Sequence, residues 1–269
     1  MIIDFHAHAF PDKLAAPAMD VLAKKVENML TPAHDGRVSS LLENMDKAGV
    51  GISVVQPVVT RQSQVKKNNL WAQSIQSDRI ISFGGVYPNS GMWKEDIDEI
   101  VYLGLKGIKL HPEYQEFAPD SDELLRMYDY ALTKGLIVLI HGGVDLGMPP
   151  PYRATPEVFK NIAGKMKGGI IVAAHLGGHG MWKEVEETLC GEDIYLDTSM
   201  GFAWYGEEQF LRILEKHGEE KILFASDSPW SDPIHDIARI NALNIPQETK
   251  DKILFGNARR VLGLVEVES

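Results

Sequence analysis

Six residues with metal-binding or acid–base side chains stand at the ends of short apolar runs in this chain. They are His6 and His8 in Ile2-Ile3-Asp4-Phe5-His6-Ala7-His8, His111 after Gly107-Ile108-Lys109-Leu110, His141 after Ile137-Val138-Leu139-Ile140, His175 after Ile170-Ile171-Val172-Ala173-Ala174, and Asp227 after Ile222-Leu223-Phe224-Ala225-Ser226. Residues two apart on a strand point to the same side, so His6 and His8 send both imidazoles to one face. An isolated His-x-His is equally compatible with two hydrogen-bonded surface histidines. The recurrence of His141, His175 and Asp227 at other strand ends favours ligation. Imidazoles with one carboxylate suit Zn²⁺, and Fe²⁺, Mn²⁺ or Co²⁺ accept the same donors.

Other candidates surround this set. Arg61 follows the second apolar run and Arg153 lies in the loop after the fifth; a guanidinium there either clamps a substrate carboxylate or is simply solvated. Trp204, Tyr205 and Trp230 are available as an aromatic wall. Lys109 and His111 face either the substrate or the internal charges of the fold, where Asp197 and Asp4 are possible partners of Lys109. Asp4 shares the parity of His6 and either orients an imidazole or belongs to the floor beneath it. His34 and His179 lie in loops near the candidate site, whereas His217 and His235 read as helix-associated or surface residues.

Strand-like runs rich in β-branched residues recur at 2–5, 52–59, 80–86, 107–110, 136–140, 170–174, 194–196 and 222–225. Helical spacing of apolar residues predicts helices at 39–48, 62–76, 94–103, 122–133, 183–189 and 207–217, with Gly49, Gly135 and Gly218 where left-handed residues should end them. Eight βα units fit one (β/α)8 TIM barrel over residues 1–269 better than an open Rossmann sheet, since no Gly-x-Gly-x-x-Gly follows the first strand. Barrel active sites sit at the carboxyl ends of the strands, where these residues stand. Long connections at 9–37, 142–155 and 199–206 are candidate lids and specificity elements.

The 269 residues are 44% hydrophobic, enough for a sizeable core, and the net charge of −11 argues against nucleic acid or an anionic membrane as partner. One cysteine, Cys190, makes no internal disulfide, and no basic or apolar leader precedes Asp4. No apolar run approaches the ~18 residues of a membrane span. A soluble cytoplasmic protein acting on a small molecule is expected.

Together, His6-Ala7-His8, the strand-end His141 and His175, Phe224-Ala225-Ser226-Asp227-Ser228-Pro229-Trp230 and the terminal Ile253-Leu254-Phe255-Gly256-Asn257-Ala258-Arg259-Arg260-Val261-Leu262-Gly263-Leu264 resemble the amidohydrolase superfamily, in particular the amidohydrolase-2 branch related to aminocarboxymuconate semialdehyde decarboxylase. The resemblance implies one divalent metal held by His6, His8, His141 and Asp227, with His175 catalytic beside it. A carbamylated Lys109 bridging two metals is the alternative found in other branches. It also implies a possible homodimer. The first expectation for activity is a metal-dependent hydrolase of an amide, ester or lactone, with Asp227 taking the proton of water and His175 stabilising the oxyanion. The alternative is a non-oxidative decarboxylase of an aromatic or unsaturated acid. Arg61, Lys109, His111, Arg153 and Trp230 are the candidate substrate contacts.

Overall fold

The computed structural model describes residues 1–27 and 29–264. Its strands are β1 (Ile2–Ala7), β2 (Val50–Val55), β3 (Ile80–Ser82), β4 (Gly84–Gly85), β5 (Gly107–Leu110), β6 (Ile137–Ile140), β7 (Ile171–Ala173), β8 (Tyr195–Asp197) and β9 (Ile222–Leu223). All pair in parallel, in the orders β1-β2-β3 and β4-β5-β6-β7-β8-β9. β3 and β4 are one predicted strand interrupted at Phe83, whose amide still bonds Val55 O at 3.0 Å. The other seam, β9 to β1, is bridged by Phe5 N to Phe224 O (2.9 Å), Asp227 N to His6 O (2.8 Å) and the parallel pair Ala7 and Ser228. The result is the distorted TIM barrel expected from the sequence.

Helices α1 (Asp12–Lys25), α2 (Val38–Ala48), α3 (Gln62–Ser74), α4 (Trp93–Tyr102), α5 (Pro112–Gln115), α6 (Asp122–Thr133), α7 (Pro156–Lys165), α8 (Trp182–Glu184), α9 (Glu207–His217), α10 (Pro233–Ala242), α11 (Gln247–Asp251) and α12 (Asn257–Leu262) alternate with the strands or close the ends. Strand alternation sorts side chains into two layers. Ile3, Phe5, Val54, Phe83, Ile137, Leu139, Val172 and Leu223 fill the barrel, plugged by Ala258, Val261 and Leu262 of α12. Ile108, Leu110, Val138, Ile140, Ala173 and Leu196 face outward and pack on the helices. That parity turns Lys109 inward, where it is 1% exposed. None of the described helices is long and apolar enough to cross a membrane.

Several predicted elements survive with shifted ends. The second strand stops at Val55 because Gln56 precedes Pro57 and turns its side-chain amide back to Phe5 O (3.1 Å). The last strand stops at Leu223 because Phe224 N goes to Ile253 O (2.9 Å) in the segment after α11. The 9–37 connection contains a helix, α1, which lies over the barrel mouth.

Candidate active site

Local backbone irregularities aim the site residues. The β1–β2 register shifts between Asp4 and Ala7, and after that shift His6 and His8 both line the cavity while Ala7 packs outward. His175 has the wrong parity to face inward, because Val172 and Ala174 already do. A left-handed backbone (φ 60°) reverses it, and the strain is held by His175 N on Asp197 Oδ1 (2.9 Å) and Leu176 N on Asp197 O (2.7 Å). Asp227 is likewise left-handed (φ 68°), fixed by its amide on His6 O and by Trp230 N on its carbonyl (2.8 Å). Gly143 (φ 81°) lets the chain after His141 lie against Gly178 and His179, whose backbone a β-carbon would strike; this brings His179 to the cavity wall.

Asp197, wholly buried, governs two imidazoles at once. Its Oδ2 receives His6 Nδ1–H at 3.0 Å, which leaves His6 Nε2 without a proton. Its Oδ1 receives Ser199 N–H (3.1 Å) and the Ser199 hydroxyl. With that hydroxyl proton committed, Ser199 Oγ accepts from His175 Nδ1–H at 2.8 Å. His175 Nε2 is then a bare acceptor for His141 Nδ1–H at 3.0 Å, and His141 Nε2, buried and without a partner among the described residues, carries a lone pair. One carboxylate thus sets His6 and His141 to present unprotonated Nε2 atoms.

Among the described residues, three groups of His and Asp donors have ligand atoms within 4.8 Å of one another. In the first, His6 Nε2 and His8 Nε2 both face Asp227 Oδ1, at 3.2 and 3.0 Å. These spacings approach the roughly 3.3 Å edge of a tetrahedron with bonds of about 2.0–2.1 Å. Lone pairs of His6 and Asp227 point at each other, an arrangement that calls for a cation, so these residues fit a divalent metal. Lys109 Nζ stands 2.9 Å from the same His6 Nε2. In the second group, His6, His175 and Asp197, the carboxylate oxygens are already taken by N–H and O–H donors. In the third, His111, His141 and Asp145, the two rings stack at 4.1 Å and 14°, which sends their in-plane lone pairs side by side rather than onto one ion. His111 Nε2 is instead paired with Asp145 Oδ2 at 3.1 Å, and its other face stacks on Tyr114 at 3.9 Å.

The charges follow from burial and these contacts. Burial opposes ionisation of Asp227, but the surrounding imidazoles of His6, His8, which also hydrogen-bonds it, and His175 outweigh burial and hold the carboxyl well below the usual range. Burial likewise opposes Asp197, and His6, His175 and Ser199 bring it down to about 2. Burial lowers His175 to about 3 against the pull of Asp227 and Asp197, and drives His141 far below the imidazole range, reinforced by His111 and His175. Both are neutral. Burial lowers Lys109 to about 8, with Asp227 and Asp197 opposing. Asp4 touches no imidazole: it accepts from Ser226 N (2.9 Å), the Ser226 hydroxyl (2.5 Å) and His6 N (3.2 Å), and burial raises it to about 7.

These groups open into a cavity of about 510 Å³. Lys109, His111 and Trp230 line it, as expected. Arg61 and Arg153 do not: both are exposed, and Arg153 approaches only through its backbone N–H, on Glu113 Oε1 at 2.7 Å. His179 lines the cavity with Nδ1 unpartnered among the described residues. His34 lies in a separate small depression, His217 is pinned to Ile194 O (2.9 Å) and Gly191 N (3.2 Å), and Trp204 is 40% exposed but edges onto His179 at 5.1 Å. Sequence reasoning missed Tyr114, Asp145, Ser199 and Lys25 at this site. The only sequence signal for any of them was the membership of Lys25, Asp145 and Ser199 in the three long connections.

The sequence profile of the amidohydrolase family (Amidohydro_2) matches residues 3–264, and the chain belongs to that family. No curated protein matches the chain. Among solved structures, an uncharacterised TIM-barrel protein from Bordetella bronchiseptica superposes with TM-score 0.76 at 20% identity, covering 97% of this chain and 98% of that one. A dihydroxybenzoic acid decarboxylase from Polaromonas, solved with manganese and the inhibitor 2-nitroresorcinol, gives TM-score 0.76 at 15% identity, covering 99% and 98%. The 5-carboxyvanillate decarboxylase of Sphingomonas paucimobilis gives 0.71 at 16%, covering 98% and 99%. At these identities the likeness is one of fold.

Proposed function

We propose that this amidohydrolase-family enzyme is a metal-dependent, non-oxidative decarboxylase of a small aromatic or unsaturated carboxylic acid. His6, His8 and Asp227 would hold one divalent ion, with the bare Nε2 of His141 as fourth donor; Zn²⁺ suits the donor set, and Mn²⁺ is the ion of the Polaromonas neighbour. The ion supplies a Lewis acid that polarises a substrate oxygen.

The observation that carries decarboxylation over hydrolysis is the occupation of His175. Hydrolysis, the first expectation from the sequence, asks this imidazole to stabilise an oxyanion. Its Nδ1–H is given to Ser199 and its Nε2 is taken by His141, so no N–H remains for a substrate. His175 is a positioning residue here, holding the His141 tautomer. Decarboxylation needs no oxyanion donor. It needs a proton for the carbon that loses CO₂ and a fixed positive charge for the acid. Asp227, held ionised in this environment, would first take the proton of the substrate's hydroxyl and then pass it to the ring carbon that loses CO₂. The electrons of the C–C bond then restore the ring as CO₂ departs. Lys109, the cation at the floor, neutralises the substrate anion, and His111 and Trp230 bound the space it occupies. The fold likeness to two decarboxylases supports the same reading.

The test is a panel of hydroxybenzoates and carboxylated phenols assayed for CO₂, run beside amides, esters and lactones assayed for acid release, with metal content measured on the same sample. CO₂ release that disappears on chelation and returns with metal supports the proposal. Acid release from a lactone or amide without CO₂ from any acid overturns it.

A further inference from the structure

We infer that Lys25 of α1 is a specificity residue that binds a second anionic group of the substrate at the mouth of the cavity. The inference rests on the proposed carboxylated substrate. Lys25 and Lys109 are the two lysines among the described residues that line the cavity, and no arginine joins them. Lys109 is committed to His6 at the floor.

Lys25 is differently placed. Its ammonium sits 4.5 Å over the ring of Tyr114, and no described carboxylate lies within ion-pair reach of it. Its stem packs against the connection after β6, where a β-carbon on Gly147 would stand 3.1 Å from Lys25 Cβ. The neighbouring acids lie outside ion-pair distance of it. Asp145 is bonded by His111, Gly147 N (2.8 Å) and more distantly the Tyr114 hydroxyl (3.5 Å); Glu113 accepts from Arg153 N on Oε1, its buried Oε2 being without a partner among the described residues, and Glu116 is exposed at the rim. The rest of this segment over the cavity is apolar, with Val21 and Leu22 of α1 and Val26 just after it. A cation held by an aromatic face in an apolar rim gains most from an anion that displaces water.

The geometry also sets the reach. Lys25, Tyr114, His111 and His141 form a column with successive separations of 4.5, 3.9 and 4.1 Å, so the ammonium stands three layers from the ligand His141. A substrate with its reacting carboxyl at the metal ligands therefore meets Lys25 only with a second anion at the far side of a planar ring or conjugated chain.

Calorimetric titration of metal-loaded protein with benzoate, terephthalate and 4-carboxycinnamate tests this. Wild type is expected to bind one of the two dianions about fivefold or more tighter than benzoate, the scale of one solvent-edge ion pair. Lys25→Met should erase that preference and leave benzoate unchanged; Lys24→Met, which is outside the cavity lining, should keep it. Equal binding of all three acids by wild type, or a preference that survives Lys25→Met, overturns the inference. Weakening of benzoate in Lys25→Met also overturns it, since Lys25 would then hold the single carboxylate. These binding results are separate from CO₂ release, so failure of the decarboxylase reading is recognised independently.

Discussion

Asp197→Asn should strip metal from the site while leaving the shape of the barrel intact. Asparagine fills the same volume but offers one acceptor oxygen and an NH₂. Three donors converge on Oδ1, from His175 N, Ser199 N and the Ser199 hydroxyl, so the oxygen stays there and the NH₂ turns toward His6. His6 Nδ1 must then accept, and its proton moves to Nε2, the atom that faces Asp227. A ligand nitrogen becomes a donor. Loss of a carboxylate behind a ligating imidazole typically costs 10–100-fold in metal affinity; because Asp197 also governs His141 through Ser199 and His175, the upper end, about 100-fold, is expected.

The same substitution has a stability consequence in metal-free protein. Asp197 falls from 3.8 to about 2 in the folded chain, and at about 1.4 kcal/mol per pKa unit its ionised form contributes roughly 2–3 kcal/mol. A depressed carboxyl stabilises above its unfolded value and loses that contribution as pH falls from 3.8 through 2, so the variant's deficit is full at pH 7 and shrinks in acid. Competition with a chromophoric chelator reads the affinity, and ¹⁵N shifts of the imidazoles read the tautomers. Wild-type metal affinity together with an unprotonated His6 Nε2 in the variant would refute the tautomer reasoning.

Three other outcomes follow from the same contacts. Asp227→Asn keeps an oxygen toward His6 and His8 but carries no mobile proton, so CO₂ release should fall by ~10²–10⁴-fold with metal largely retained; near-normal turnover in a metal-loaded variant would exclude the proton-delivery role. His175→Asn removes the acceptor that fixes His141, so metal affinity should drop about tenfold, measured by chelator competition; unchanged affinity with lost turnover would return His175 to a direct catalytic role. Asp4, raised to about 7 by burial, binds its proton more tightly folded than unfolded, so it lowers stability progressively as pH rises from 3.8 through 7. Asp4→Asn should therefore gain on the order of 2–4 kcal/mol over wild type in urea unfolding of metal-free protein at pH 8 and little at pH 4; equal midpoints at pH 8 would count against the buried-carboxyl account.

The barrel and the donors of its candidate metal site were legible because both rest on strand periodicity. Alternation along 107–110 and 137–140 puts Ile108, Leu110, Val138 and Ile140 outside and so Lys109 and His141 within. Helices α6 and α9 kept their predicted bounds, where strong amphipathy and, for α6, the Ser121 cap coincide. Helices α7 and α10 carried signals that were readable, Thr155 and Asp232 as capping residues with Pro156 and Pro233 at the first turn. Helix α1 did not: it has no side-chain cap and a proline, Pro17, inside. The roles of Asp145, Tyr114 and Ser199 were hidden for another reason. Asp145 acts on His111 and Ser199 on His175 from another strand end, Tyr114 acts only by stacking on His111, and in the case of Asp197 one carboxylate reaches His6 from 191 residues away. His175 was found by its position at a strand end, yet its inward direction depends on a left-handed backbone that alternation does not forecast.

The ionisation pattern explains why the site would accept an acid once its ion is present. With Asp145, Asp197 and Asp227 held ionised, Lys109 largely protonated at neutral pH and His141 and His175 neutral, these buried groups sum to two negative charges. A carboxylate substrate meeting that charge is repelled, because burial weakens screening. A divalent ion would cancel the sum and remove the repulsion. Lys109 makes the difference: without its ammonium the loaded site would keep a negative charge and still repel the acid. Lys25 then stands outside this balance, at the rim, as the charge left over for a second anion.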